Sequence, residues 1–422
     1  MNAVTEFEIG QGGLVLTSSQ EDALWTILSC MDEGKTLISL NGRAGTGKTT
    51  SMAALVEDLH GRGIYGVEVV TPTNKAATVL RSKGVPANTL FARFFTLVEV
   101  SKRPKKMVFT PNYKMDKLAD DKLAYARVVI VDEASMLTKW ALDHLARMCD
   151  TLILVGDGNQ LPPVGDKDVP RGLFCTRQHD ATLTEVLRND GAVLKLADAV
   201  RTSRDGRDLA GIVLDAYCPA DDFEMLLVLD RPQLICWRNV IRKAVNARAR
   251  RTLGFEGVLP MPGDLMICRD NSDDVLLNGT QATMLDFSWD KRNRLANIVL
   301  EVAGCEGNHR AQMDMFRFFQ DQLPAHCRAY ADLIEHYSHY DDDEGAALTF
   351  GYAITAHSSQ GGEWPIVAVV DERAALHGMS AKQVREDPRQ MPADDACRRW
   401  FYTAVTRARE TIYVVDERWT KY

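Results

Sequence analysis

The sequence has no apolar run approaching the roughly 20 residues a membrane-spanning helix needs, so a helical membrane protein is not expected. It has no Cys-x-x-Cys pair, and its cysteines are few, nine in all and thinly spread. An odd, scattered set of this kind excludes a disulfide framework and reads as reduced thiols, mostly small core residues. One group, Cys305, His309, His326 and Cys327, has metal-binding residue types, but its spacing fits no common zinc pattern. Met1 to Gly10 carries Glu6 and Glu8 and lacks the basic-then-apolar order of a secretory signal, so a cytoplasmic location is expected. Positive charge is not in excess. The net charge is −8 and the pI about 5.7, which excludes a coat of basic charge but leaves room for a local track. Two basic stretches qualify: Lys102, Arg103, Lys105, Lys106, Lys114 and Lys117, and then Arg238, Arg242, Lys243, Arg248, Arg250 and Arg251. Each reads as either a track or a solvated face. There is no short-period repeat and no low-complexity tract.

What remains is ordinary globular material, 422 residues with 45% hydrophobic and 26% charged, enough for two or three domains. Short apolar strands alternate with turns and helices, the pattern of an α/β fold with parallel sheets. Strands are expected at Thr36–Leu40, Val67–Val70, Val128–Val131, Thr151–Val155, Leu234–Trp237, Ile366–Val370 and Ile412–Val415, with a helix from about Ala396 to Arg409. Val128–Val131 is apolar without alternation, as a strand covered on both faces requires. Two segments break the rhythm. Residues 96–118 are polar and basic, contain Pro104 and Pro111, and read as an inserted arm or hairpin. Residues 280–347 read as a small inserted domain: short strands, a helical stretch near Met313–Tyr337, and the acidic run Asp341–Glu344.

Gly42-Arg43-Ala44-Gly45-Thr46-Gly47-Lys48-Thr49 is a complete GxxxxGK[ST] phosphate loop between a strand and an amphipathic helix. Its glycines let backbone N–H groups wrap phosphates, and the helix N-terminus adds a favourable dipole. Lys48 is placed to reach the β- and γ-phosphates and Thr49 to hold Mg²⁺. Asp132-Glu133 follows an apolar strand, so both carboxylates fall where α/β sheets bind ligands. Asp132 suits the metal shell and Glu133 suits orienting or deprotonating water. Gly156-Asp157-Gly158-Asn159-Gln160-Leu161-Pro162-Pro163 follows another strand and suits a γ-phosphate sensor, with Gln160 as the reporting side chain.

These three pieces together resemble superfamily 1 helicases, and further stretches match in the family's order. Leu16-Thr17-Ser18-Ser19-Gln20 resembles the Q motif, Thr71-Pro72-Thr73-Asn74-Lys75-Ala76-Ala77 motif Ia, and Leu183-Thr184-Glu185-Val186-Leu187-Arg188 the end of the first motor domain. Tyr352 to Gly361 resembles motif V and Tyr402 to Arg409 motif VI. The likeness is to the RecD-like branch, superfamily 1B. Two departures lie on the nucleic-acid side: Ser358 stands where motif V usually has Lys, and Thr89-Leu90-Phe91 stands for the Thr-Ile-His of motif Ib.

The resemblance implies two tandem RecA-like domains with a hairpin or pin insertion and a small SH3-like accessory insertion. The first motor domain would comprise 1–88 and 119–190, the inserted arm 89–118, the second motor domain 191–279 and 348–422, and the accessory insertion 280–347. It further implies ATP and Mg²⁺ as cofactors, bound by Gln20 at the adenine edge and by Gly42, Gly45, Thr46, Gly47, Lys48, Thr49 and Thr50, with Thr49 and Asp132 on the metal. Lys48, Glu133, Gln160, Arg188 and Arg407 would carry catalysis, with Arg407 as arginine finger. Thr71, Pro72, Thr73, Asn74, Thr89, Phe91, Pro162, Trp237, Arg238, Asn239, Thr355 and His357 would line single-stranded DNA. Phe91, Trp237 and Trp364 are open between base stacking and core packing. The expected activity is unwinding of fork DNA by a monomer in replication, recombination or repair, alongside single-strand-binding or replisome proteins, in a bacterial or virus-infected cell. A 5′-to-3′ direction rests on resemblance alone. The competing readings are a 3′-to-5′ UvrD-type enzyme, an ATPase that remodels protein partners, and a nucleic-acid-binding module with a degenerate nucleotide site.

Overall fold

The computed structural model describes residues 15–102, 105–111, 126–187, 191–203, 216–322, 332, 336–337 and 345–421. The chain divides into two compact units, Met1–Lys195 with Gly378–Tyr402, and Leu196–His377 with Thr403–Tyr422.

The first unit is built on a six-stranded parallel sheet. Its strands are β1 (Leu37–Gly42), β2 (Val67–Thr71), β3 (Ala87–Thr89), β6 (Ala126–Val131), β7 (Cys149–Gly156) and β8 (Ala181–Leu183), in the order β3-β2-β6-β7-β1-β8. The unbroken apolar runs are explained by burial on both faces. Val128 and Ile130 of β6 join one core with Ile38, Leu40, Ile153 and Val155. The alternate residues Val129 and Val131 join a second core with Leu152 and Leu154. Between β3 and β6, residues 95–102 (β4) and 105–111 (β5) pair antiparallel, so the arm is a hairpin over its described residues. Arg103, Lys114 and Lys117 lie outside the described residues.

The second unit holds a five-stranded parallel sheet and a five-stranded antiparallel one. The parallel sheet orders β16 (Ala353–Thr355), β10 (Gln233–Cys236), β17 (Trp364–Asp371), β18 (Ala408–Asp416) and β9 (Tyr217–Cys218). The antiparallel sheet orders β14 (Asn308–Asp314), β13 (Leu295–Val302), β12 (Gln281–Ser288), β11 (Leu265–Cys268) and β15 (Leu348–Phe350). This second sheet is wider than the expected insertion 280–347, because β11 finds its ladder partners in β12 and β15 rather than in the parallel sheet. Met266 of β11 and Phe350 of β15 sit in one core with Ala353 and Val370 of the parallel sheet. The expected helical stretch near Met313–Tyr337 begins later: Asn308–Asp314 is strand, and the helix there is Met315–Gln322. The acidic run Asp341–Glu344, His326 and Cys327 lie outside the described residues. His309 pairs with Asp273 at 2.9 Å.

Much of the second basic stretch turns inward, although Arg251 is exposed. In the helix Asn239–Thr252, Arg242 and Arg250 lie among its buried residues. Arg242 pairs with Asp321, and Arg248 pairs with Glu224 at 2.6 Å. Arg250 forks onto Asp264, with Nε and Nη2 donating at 2.8 Å each, and donates also to the carbonyls of Gly257 and Leu259. Asp264 further accepts from Tyr352 Oη at 2.9 Å and from Met261 N at 2.8 Å. Residues spaced eight apart on one helix face turn inward, where guanidinium groups tie the chain segments leading into β11 and β16. Both partners of the Arg250–Asp264 pair are almost fully buried, so Asp264→Ala strands a buried cation and is expected to cost about 3–5 kcal/mol in urea unfolding. Lys35→Ala breaks an exposed pair with Asp180 and is expected to leave the urea midpoint nearly unchanged.

Candidate nucleotide site

In the first unit's sheet, β1 pairs with β7 and β7 with β6, all parallel. Their C-terminal ends therefore face the same edge, and the loops leaving them are the phosphate loop, Asp132-Glu133 and the Gly156–Gln160 turn. The phosphate loop leads into the helix Lys48–Gly61, whose N-cap Gly47 has φ +78°. A Cβ there would fall 2.2 Å from Gln20 Nε2, so only glycine fits. Lys48 Nζ lies inside the loop and donates to Gly42 O at 2.8 Å and Arg43 O at 3.1 Å. Thr49 and Thr50 occupy the helix's first turn, half-buried.

Gln20 is buried in the helix Ser18–Asp32. Its Oε1 accepts from Thr17 N at 2.9 Å in a capping box, and its Nε2 donates to Thr46 O and Gly47 O at 3.4 and 3.5 Å. The side chain thus braces the phosphate loop.

Asp132 and Glu133 cap β6. Burial first, and then the neighbouring Glu133 carboxylate, push the Asp132 carboxyl up to about 7, while Lys48 acts in the opposite direction. Glu133 has φ +53°, a left-handed conformation that is costly for a residue with a Cβ and characteristic of functional sites. Asn41 Oδ1, at the end of β1, accepts from Gly158 N at 3.0 Å and ties the phosphate-loop strand to the sensor turn. Four buried side-chain oxygens at this edge, Asp132 Oδ1, Glu133 Oε2, Ser135 Oγ and Gln160 Oε1, have no hydrogen-bond partner among the described residues. Each such atom costs about 1–3 kcal/mol when left unpaired. Hard oxygens of this kind, beside a lysine and a ring of backbone N–H groups, fit a divalent cation and a polyphosphate. Ser135 was not singled out from the sequence, although it lies in the same Asp-Glu-Ala-Ser run; only the fold shows that its hydroxyl is buried and unpaired.

The comparisons agree with this geometry. Residues 15–217 match the AAA domain model and residues 350–415 the UvrD-like helicase C-terminal domain model. The ATP-dependent DNA helicase dda of Enterobacteria phage T4 is 29% identical over 216 residues, 47% of each chain. The ATP-dependent DNA helicase PIF1 of Candida albicans is 24% identical over 337 residues, 65% of this chain and 35% of that one. Over these stretches the chain is similar to ATP-dependent DNA helicases of the Dda and Pif1 kind. It matches about half, or less, of the length of these curated relatives. Two solved structures share the fold: Pif1 from Candida albicans, TM-score 0.51 at 18% identity over 95% of both chains, and Pif1 from Bacteroides in complex with ADP-AlF3 and ssDNA, TM-score 0.52 at 16% identity over 95% of this chain and 92% of that one. The two parallel sheets are accordingly tandem RecA-like domains.

Of the family's remaining motif positions, several are arranged differently from expectation. Thr71 is fully buried and its hydroxyl donates to Thr73 O at 2.6 Å. Thr73 and Thr89 are half-buried N-caps, accepting from Ala76 N and Ala92 N. Pro72, Asn74 and Pro162 are half-buried. Phe91 packs against Phe109 and Phe95, with ring centroids 4.5 and 5.4 Å away, so it belongs to an aromatic cluster at the hairpin base. In the second unit, Arg238 is engaged internally: its Nε donates to Glu372 at 2.6 Å and its Nη2 to Glu417 at 3.3 Å. Its guanidinium thus faces two carboxylates while its side chain stays about one-third exposed. Half-buried Trp237 stacks beside that guanidinium, and Asn239 is exposed. Trp364 Nε1 donates to Gln281 at 3.0 Å. Thr355 caps the turn Ala356–Ser359 and shares a hydrogen bond with Ser358 Oγ at 2.9 Å. Burial lowers the His357 imidazole to about 4, so it is neutral at physiological pH and can offer a hydrogen bond but no charge. Arg407 is not a helix-surface salt bridge. It is buried, and its described acceptors are Thr403 O, Gly362 O and Thr406 Oγ1 at 3.1 to 3.2 Å. Arg188 lies outside the described residues.

The raised Asp132 sets a sign for pH dependence. An acid whose folded-state pKa exceeds its unfolded value favours the fold only when protonated, so its contribution is full below pH 4 and is lost as pH rises toward about 7. In chelator and without nucleotide, Asp132→Asn is expected to remove that slope. Urea midpoints should show the variant more stable than wild type at about pH 8 and little different at about pH 4.

Proposed function

We propose that the chain is an ATP-dependent motor that moves along single-stranded DNA, in the 5′-to-3′ direction, and unwinds fork DNA in replication, recombination or repair. The observation that supports this most is the set of unpartnered buried oxygens beside the phosphate loop. Relatives named ATP-dependent DNA helicases and a structural neighbour solved with ssDNA and ADP-AlF3 support the nucleic-acid half of the reading. Mg²⁺, when bound with ATP, neutralises charge on the β- and γ-phosphates. Thr49 and Asp132 are the residues to hold it. Lys48 leaves the loop carbonyls for the phosphates, and the backbone N–H groups of Gly45 to Thr50 cradle them. Glu133, which follows β6 with a left-handed backbone, accepts the proton of the attacking water. Gln160 reports the γ-phosphate. Arg407, and with it Arg188, stabilises the charge that develops on transfer. The acceptors now holding Arg407 are neutral oxygens, which a phosphate outcompetes.

On the DNA side, Pro72, Thr73, Asn74, Thr89, Pro162, Asn239, Thr355 and His357 are the contacts we assign, with Trp237 as the aromatic platform. The hairpin formed by β4 and β5 is assigned as the duplex-splitting pin, and the antiparallel sheet of the second unit as the accessory element. The protein is proposed to act as a monomer, with single-strand-binding or replisome proteins as partners.

Steady-state ATP hydrolysis with and without single-stranded DNA, over a salt series, tests the reading. DNA should stimulate turnover, and the stimulation should fade with salt because phosphate contacts release counterions. High turnover indifferent to DNA would favour an ATPase that remodels protein partners. Glu133→Gln should cut kcat by about 10²–10⁴ fold while nucleotide still binds, and Arg407→Ala should cost about 10³ fold or more. Replacing residues 96–110 by a short turn should reduce unwinding more than DNA-stimulated ATPase, and equal losses would remove the pin assignment.

A further inference from the structure

Gln160 is the sensor in the reading above, and the first unit holds its backbone from two sides. The turn Gly156–Gln160 closes on itself through Gln160 N donating to Asp157 O at 3.1 Å and Asn159 N donating to Asp157 Oδ1 at 2.9 Å. The helix Ala393–Val405 supplies the rest from its portion in the same unit, Ala393–Tyr402. Tyr402 Oη donates to the other carboxylate oxygen, Asp157 Oδ2, at 2.6 Å. Arg399 Nη1 donates to Gly158 O and, at 3.2 Å, to Gln160 O. Arg399 is itself fixed one turn back, its Nε donating to Asp395 at 2.9 Å. Asp157, Gln160, Tyr402 and Arg399 are all buried. The carbonyls of Gly158 and Gln160 are thus held by this helix, yet the side-chain oxygen of Gln160 has no partner among the described residues.

We propose that Arg399 and Tyr402 are positioning residues for Gln160. Together they clamp the sensor turn from the helix that ends two residues before Arg407, while the Gln160 side-chain oxygen is left to answer the nucleotide. A buried network of this kind is cooperative, so loosening either anchor loosens the turn. The proposal rests on Gln160 being the γ-phosphate sensor. It assigns roles to Arg399, Tyr402 and Asp157 that the phosphate loop and the Asp-Glu pair do not require.

The test is an epistasis series in DNA-stimulated ATP turnover: wild type, Gln160→Ala, Tyr402→Phe, Arg399→Lys, and each of the latter two combined with Gln160→Ala. Tyr402→Phe removes one hydroxyl without a cavity. Arg399→Lys keeps the charge but loses the forked donor. Each is expected to lower kcat by about tenfold with KM for ATP within about twofold, because the sensor is misplaced while the binding loop is intact. In the Gln160→Ala background neither should lower kcat further. Losses that multiply with that of Gln160→Ala, or a rise in KM at unchanged kcat, would overturn the proposal. Should Tyr402→Phe fail to fold, Asp157→Asn, which keeps an oxygen to accept from Asn159 N, takes its place in the same cycle with the same expectation. A silent Gln160→Ala in a DNA-stimulated enzyme would instead remove the sensor reading itself, so the two failures are distinguishable.

Discussion

Parallel pairing of three adjacent strands, β6, β7 and β1, is the constraint from which the site follows. In parallel register each strand ends on the same edge, so three loops far apart in sequence leave the sheet side by side. One loop wraps phosphates with glycine backbone, the next presents two carboxylates, and the third presents an amide. The double burial of these strands makes the register hard to shift, since a slip of one residue would exchange Val128 and Ile130 with Val129 and Val131 between two packed cores. Rigid strands therefore hold a loop set whose own chemistry is unsatisfied. The orphaned oxygens of Asp132, Glu133, Ser135 and Gln160, the raised carboxyl of Asp132 and the left-handed backbone of Glu133 are costs concentrated at one edge. A polyphosphate bound with a cation would offset them together.

The sequence made the first unit's site largely legible because its signals are local. A GxxxxGK[ST] run between strand and helix, and acidic or amide residues one step past an apolar strand, keep their meaning whatever the rest of the chain does. Strand positions were readable for the same reason, with ends displaced by up to four residues, mostly where ladder pairing extends past the apolar run, as at Ala126, Cys149 and Ala408. The hairpin was legible as an interruption, through its loss of helical periodicity and its prolines.

What depended on long-range pairing was not legible. Arg238, Arg242, Arg248 and Arg250 look like a basic stripe in one dimension. Their partners, Glu372, Asp321, Glu224 and Asp264, lie 14 to 134 residues away along the chain. No spacing rule couples such positions. Thr71 is a similar case: a motif threonine reads as a surface hydroxyl until the fold buries it on β2. The extent of the antiparallel sheet also escaped, because β11 is a four-residue apolar strand like those of the parallel sheet, and only its partners separate the two. Gln20 lies between these classes. Its position in the chain is readable, but its bracing of the phosphate loop is visible only in three dimensions.

The central claim is that the edge formed by β6, β7 and β1 is a metal-dependent nucleotide site. The most direct measurement is thermal unfolding of the full chain with a non-hydrolysable ATP analogue, in Mg²⁺ and in chelator. The account predicts a rise in Tm that grows with analogue concentration, requires Mg²⁺, and disappears in Asp132→Asn and in Lys48→Ala. A shift of the same size in chelator, or one that survives both substitutions, would contradict it.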